Sequence, residues 1–537
     1  GRLRIAKGRR PELVTLIEKL LVPALAKVAN LVPEGGVWMN TQRPEWNDAN
    51  NALAGNGLSM VTLYQLRDYA DWCARFLDSL GSGDAELSET IASWCEQSSG
   101  VIAESLGRFA AAGSVADDER WRFVSSLGSI AEAARDSLRE RGLGPSSSVP
   151  VSDISAFFRL TRDLCDHSVE RAKRSDGLYE SYRVLRTGDG RARVESLFPM
   201  LEGQVSVLAS GVLSEKQSIE LLEALFDSEL YREDQNTFIL YPRIDRPPLL
   251  DRNRVPPSAV ESSPALLADL ERGTGVLVTR DDEGIVRFAA DLTSIDALRD
   301  RLDGLGKDAS WSAVLRDDDG RVAAAYEQAF GHARFTGRSG TMHKYEGLGS
   351  VYWHMVSKLM LAVQETVLRA SDRGAPAEQI ETLLGYYRRV RDGLGFRKTP
   401  VEFGAVPFEP YSHTPWAMGA QQPGMTGQVK EGVLARFAEV GVRLAGGSIR
   451  FDRTLIDDAE WLEAPSNVGN TEVAAGSVGS TLCGVPVVVS RGEADQVEVV
   501  DCSGGSRRFS GRELPGESAR SIFGRTGEIA EVRVTLA

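Results

Sequence analysis

The chain has 537 residues, 42% of them hydrophobic and 26% charged, with a net charge of −14 and a mean hydropathy of −0.21. That length exceeds one simple core and suits roughly two to four domains. No run of about eighteen apolar residues occurs, so no membrane-spanning helix and no membrane partner are expected, and the acidic balance argues against a nucleic-acid partner while leaving room for a local basic pocket for a small anion.

The chain opens Gly1-Arg2-Leu3-Arg4, without Met or a signal-peptide pattern, as a fragment or a processed product would. Five cysteines, at 73, 95, 165, 483 and 502, are scattered and never in CxxC spacing, the usage of reduced thiols in a cytoplasmic protein. Five histidines show no metal-ligand spacing, so no metal is expected.

Apolar residues recur at three- and four-residue steps over Leu13–Val28, Leu53–Leu80, Leu87–Ala111, Glu119–Arg141, Ile154–Arg174 and Val194–Leu208, which predicts six helices. Gly81-Ser82-Gly83-Asp84, Gly113-Ser114 and Gly142–Ser146 punctuate them. Between 240 and 335, Pro242, Pro247, Pro248, Pro256, Pro257 and Pro264 break the helical period. There Gly275–Thr279 and Gly284–Phe288 read as a hairpin, so this stretch is expected to be an inserted α/β excursion. Helices resume at Gly347–Ala370 and Pro376–Asp392. A loop rich in Pro, Tyr, His and Trp follows, Pro407 to Gly427, and then a short helix, Gln428–Val440. From 441 short apolar strands alternate with Gly and Asp turns: Val442–Leu444, Ser448–Phe451, Pro486–Val489, Val497–Val500 and Val532–Leu536. The expected order is therefore a helical part over 1–239, the excursion over 240–335, a second helical part over 336–440 and an antiparallel β cap over 441–537. Consecutive helical hairpins suggest a toroid of paired helices. A solenoid is the competing architecture, but no period of about 34 to 47 residues is visible.

Four loops have chemistry that simple connectors lack. Trp38–Asn51 holds two Trp, two carboxylates, an Arg and four Asn. Indole faces beside carboxylates and amides can stack a sugar ring, bind its hydroxyls and supply a proton. The plainer reading is a polar loop in which Asn50 or Asn51 caps the next helix. The second loop is Asp176–Tyr182 with Met200–Gln204 downstream. The third, Arg334–Gly347, sets Arg338, Ser339, Thr341, His343 and Lys344 among glycines just before a helix, an arrangement suited to phosphate or a carboxylate. A glycine-rich loop with solvated charges is the alternative. The fourth runs from Glu409 through Trp416 and Gln422 to Thr426-Gly427, which is also a plain helix cap. His354 and Lys358, one helical turn apart, read as a polar stripe.

Glu45-Trp46-Asn47-Asp48-Ala49-Asn50-Asn51 resembles the Asp-Trp-Asn-Asp-Gly-x-Asn motif of the inverting cellobiose and chitobiose phosphorylases. The resemblance implies a six-hairpin (α/α) barrel, with Asp48 as general acid, Trp46 in a sugar subsite and inorganic phosphate as nucleophile. The Pro-Gly-Met-Thr-Gly turn before a β-rich tail is similar too, and it implies that His343 and Thr426 hold phosphate. Here Glu45 replaces Asp and Ala49 replaces Gly. Only 47 residues precede Asp48, whereas the family has a β-sandwich and several helices upstream, so an upstream part of the same polypeptide is an expected partner.

The resulting expectation is a mainly α enzyme that cleaves a β-linked di- or oligosaccharide with inversion, by phosphorolysis, with phosphate as co-substrate and no cofactor. Asp48 is the acid. Trp38, Arg43, Glu45, Trp46, Asn47, Tyr345, Trp416 and Gln422 bind sugar. Arg338, Ser339, Thr341, His343, Thr426 and Gly427 hold phosphate. An inverting hydrolase is the alternative, with Glu431 or Glu346 as the base that activates water. A non-catalytic carbohydrate-binding scaffold and a helical-repeat interaction protein are the readings from other classes. A homodimer is the open partner assignment.

Overall fold

The structure is a computed structural model that describes residues 13–39, 55–240, 242, 253–330, 351–394, 413–414, 428–445 and 447–537. The chain forms two compact units, one of residues 1–38, 58–242 and 349–537, the other of 39–57 and 243–348.

In the first unit, Thr15 caps the helix Leu16–Val28 by accepting the Glu18 N–H. Glu18 is buried and takes the Ser88 N–H at 2.6 Å and its hydroxyl at 2.7 Å. The helical period expected from Leu53 begins later. Gly57–Ser59 is extended, and Ser59 caps the helix Met60–Ser79. That helix packs on Val151–Glu170, and Arg67 bridges the pair to Asp166 at 2.8 Å. The helices Glu89–Ala112 and Asp117–Arg141 pack beside them.

The expected helix Val194–Leu208 is two elements. Arg191–Ser196 is a strand paired with Tyr182–Gly188, and the helix starts at Leu201. Arg191, Arg193 and Glu195 alternate with Ala192 and Val194, a period of two, and Pro199 blocks a helix running through. These strands complete a five-stranded sheet in the order Leu31–Val32, Gly36–Trp38, Gly57–Ser59, Tyr182–Gly188, Arg191–Ser196.

A buried ion cluster fastens this sheet to the helices. Arg120 reaches Glu34 at 3.2 Å, Asp117 at 2.7 Å, and the carbonyls of Pro33, Val115 and Ala192. The Val115 N–H donates to Glu34, and His167 lies 3.4 Å from it. Burial pushes the Glu34 carboxyl up. Contacts from His167, the Val115 N–H and Arg120 outweigh it and hold the group below its ordinary value.

The loop Asp176–Tyr182, read as part of a site, is a structural knot. The Gln204 amide accepts the Tyr179 N–H at 2.8 Å and donates to the Tyr179 and Met200 carbonyls. Ser181 donates to the Met200 carbonyl, and Tyr182 to Glu202.

Further along, Trp353–Asp372 and Ala377–Asp392 pack together, and Gln428–Glu439 lies on the first of them. Buried Glu439 takes Tyr387 at 2.6 Å, Arg391 at 3.1 Å and Arg436 at 3.2 Å. The β-rich residues that follow are mixed rather than antiparallel. Val485–Arg491 runs parallel to Ile529–Leu536, in a sheet ordered Ser477–Leu482, Val485–Arg491, Ile529–Leu536, Gln496–Asp501, Ser506–Ser510. The connection through three strands and the helix Gly516–Gly524 returns the chain in the same direction. Val487, Val489, Val497, Val499, Val532 and Val534 fill its core at every second position.

The second unit is α/β. Two short helices, Pro257–Ser262 and Pro264–Arg272, precede an antiparallel hairpin of Val278–Arg280 with Val286–Phe288. Ile295–Leu305, Ala309–Asp318 and Arg321–Phe330 follow. Leu266, Phe288, Trp311 and Tyr326 form the core. Buried Asp269 ties helix to strand by accepting the Leu277 and Val278 N–H groups, both at 2.7 Å. Among the described residues no helix is long and apolar enough to cross a membrane.

Arg120→Ala should cost about 3–5 kcal/mol, because it strands a buried carboxylate; urea melts measure this. The depressed Glu34 contributes stability that is complete above its ordinary value of 4.5 and is lost as pH falls through its lower folded value. Glu34→Gln should flatten that acid limb in melts run as a function of pH.

Candidate functional site

Two helix starts meet in the first unit. Val351-Tyr352 pairs antiparallel with His413-Thr414 and bridges Ile239, which fixes where the helix Trp353–Asp372 begins. Trp353 is fully buried and anchors the first turn. The N-cap residue Tyr352 makes no side-chain cap hydrogen bond, and the positive end of the helix dipole suits an anion.

His354 is the second residue of this helix. Its Nε2 lies 3.2 Å from Oε1 of Glu431, the fourth residue of Gln428–Glu439. Glu431 is 2% exposed. Its Oε2 has no hydrogen-bond partner among the described residues, and Lys430 Nζ stands 3.6 Å from Oε1. On the other side of the ring, Tyr352 Oη lies 3.4 Å from Nδ1 with the two rings at 88°. Burial lowers the His354 pKa, Lys358 one turn on lowers it further, and the attraction of Glu431 only partly offsets them. The imidazole is therefore neutral at pH 7. Lys358 is half-buried and makes no ion pair with any described residue. The cluster thus holds one carboxylate, two ammonium groups and a neutral imidazole at two helix N-termini.

Of the residues expected to form the site, Trp38 and Glu431 are described. Trp38 is half-buried in a strand paired with Leu58. Asp48, Arg43, Glu45, Trp46, Asn47, Arg338, Ser339, Thr341, His343, Tyr345, Glu346, Trp416, Gln422, Thr426 and Gly427 lie outside the described residues. His354 is the residue the sequence reading set aside as a polar stripe. Its signal was a histidine opening a helix directly after a glycine-rich basic loop. Among the described residues no three metal-ligating side chains come together.

Residues 247–333, in the second unit, match the family model described as GH149 phosphorylase insertion domain 2. No curated protein matches the chain. The match defines a carbohydrate-active enzyme. The chain is a glycoside phosphorylase, as the sequence reading expected at that level.

The site makes its own prediction. In 15N-resolved spectra, His354 should carry its proton on Nε2 at neutral pH, with a protonation midpoint below the ordinary 6.5. Glu431→Ala should release that tautomer preference and cost roughly 1–3 kcal/mol, since the half-buried ring N–H then loses its acceptor.

Proposed function

We propose that the enzyme cleaves a β-linked di- or oligosaccharide by phosphorolysis with inversion, using phosphate and no cofactor, in the cytoplasm. In this reading its helices belong to an (α/α) toroid that carries a C-terminal β cap. One observation supports it most. The His354–Glu431 contact joins the starts of two helices, and the loop Arg338–Gly347 and the turn Thr426-Gly427 run into those same two starts. Both sequence segments suited to phosphate thus precede, in the sequence, helix starts where the dipoles, Lys358 and Lys430 favour an anion.

Asp48 gives its proton to the leaving oxygen as the glycosidic bond breaks, and a phosphate oxygen forms the new bond to the anomeric carbon. Trp38, Trp46, Tyr345 and Trp416 stack sugar rings, with Arg43, Glu45, Asn47 and Gln422 on their hydroxyls. Arg338, Ser339, Thr341, His343, Thr426 and Gly427 hold phosphate together with His354 and Lys358. Glu431 is a poor base for a hydrolase. It is almost wholly buried, and one of its oxygens already faces His354. Glu346 stays as the hydrolase base to be tested.

An oligosaccharide screen with and without phosphate tests the reading, with sugar 1-phosphate and reducing sugar measured separately. Sugar 1-phosphate should form only with phosphate present. Asp48→Asn should lower kcat by roughly a hundredfold or more, the scale of general acid catalysis. Reducing sugar released without phosphate, and abolished by Glu346→Gln, would install the hydrolase instead.

A further inference from the structure

We infer that Glu431 is a positioning residue that makes the paired helix starts select an oxyanion bearing a hydrogen, phosphate, over one without, sulfate. The inference rests on the phosphorolysis reading of this site.

Among the described residues, the groups facing His354 are Lys358 on its own helix, Glu431 and Lys430 on the neighbouring helix, and Tyr352 on the strand before it. A carboxylate only accepts hydrogen bonds, so the ring nitrogen 3.2 Å from Glu431 carries the ring's proton. In the neutral ring Nδ1 is then an acceptor. The Tyr352 hydroxyl at 3.4 Å is too far to occupy it well. Glu431 Oε2 is buried and has no hydrogen-bond partner among the described residues, so Glu431 meets the ring through Oε1 alone.

The site therefore offers two kinds of contact to an anion. Lys358, Lys430 and the helix N–H groups donate to anionic oxygens. His354 Nδ1 requires a hydrogen from the ligand. Phosphate at neutral pH keeps at least one P–O–H and satisfies both kinds. Sulfate carries no hydrogen there and sets its lone pairs against that of the imidazole. Glu431 acts through His354: it fixes which nitrogen is protonated, and so whether the ring accepts or donates.

The test is sulfate as a competitive inhibitor of phosphorolysis, in wild-type enzyme and in Glu431→Gln, with arsenate as a hydrogen-bearing control. In the wild type the sulfate inhibition constant should exceed the phosphate KM by tenfold or more, the scale of one charged hydrogen bond gained or lost. In Glu431→Gln the amide donates, the ring is free to carry its proton on Nδ1, and the ratio should fall to about one, while arsenate tracks phosphate in both proteins. A looser but merely structural role would weaken both anions alike and leave the ratio unchanged, which would overturn the inference. If Glu431→Gln is folded by circular dichroism but inactive, calorimetric binding of phosphate and of sulfate gives the same ratio. Phosphate-independent release of reducing sugar by the wild type would instead sink the phosphorolysis reading, and that outcome is read in a separate assay.

Discussion

A carboxylate taken out of water must find donors, and this molecule repeatedly builds on that requirement. Glu18 collects both donors of Ser88. Glu34 collects Arg120 and the Val115 amide, and Asp269 collects two successive strand amides. Glu439 gathers Tyr387, Arg391 and Arg436. Apart from Arg436, which shares a helix with Glu439, these partners lie on other elements, so satisfying one side chain fixes the relation of two segments. Glu431 follows the rule only halfway. One of its oxygens meets His354, and the other has no hydrogen-bond partner among the described residues. That shortfall separates it from the fasteners, and Glu180 Oε2 shares it.

The sequence was most legible where a single period ran uninterrupted. Met60–Ser79, Asp117–Arg141 and Ala377–Asp392 each bury one stripe, and their spacing shows it. It was least legible in the five-stranded sheet. Leu31–Val32 and Gly36–Trp38 are two and three residues long, too short to show alternation. Arg191–Ser196 alternates charged and small residues, but it borders a real helix, and the two periods merged into one apparent pattern. The parallel pairing of Val485–Arg491 with Ile529–Leu536 depends on the path of the chain between them, which no local window contains.

The candidate site was half legible for the same reason. The chemistry of the loops stands out locally, because Arg, hydroxyls and glycines before a helix have a direct physical meaning. The contact that ties the site together joins residues 77 positions apart. His354 alone looks like a polar helix residue, and Glu431 alone looks like a free carboxylate suited to base catalysis. Only their proximity turns one into an oriented imidazole and the other into its holder. The phosphorylase assignment comes from a different place, the second unit, whose Asp269 and Asp318 lock a small α/β core of its own.

The position of Ile529–Leu536 has a consequence for how the protein is made. This strand lies inside its sheet, hydrogen-bonded on one side to Val485–Arg491 and on the other to Gln496–Asp501. Both neighbours leave the ribosome before it. Until it arrives they are two unfilled edges of alternating valines, the kind of surface that pairs with other chains. At roughly 5–20 residues per second, the gap between Asp501 and Ile529 lasts a second or more. Chaperone occupancy should therefore concentrate in that interval of synthesis, and a ribosome stalled within it holds the most aggregation-prone form of this sheet.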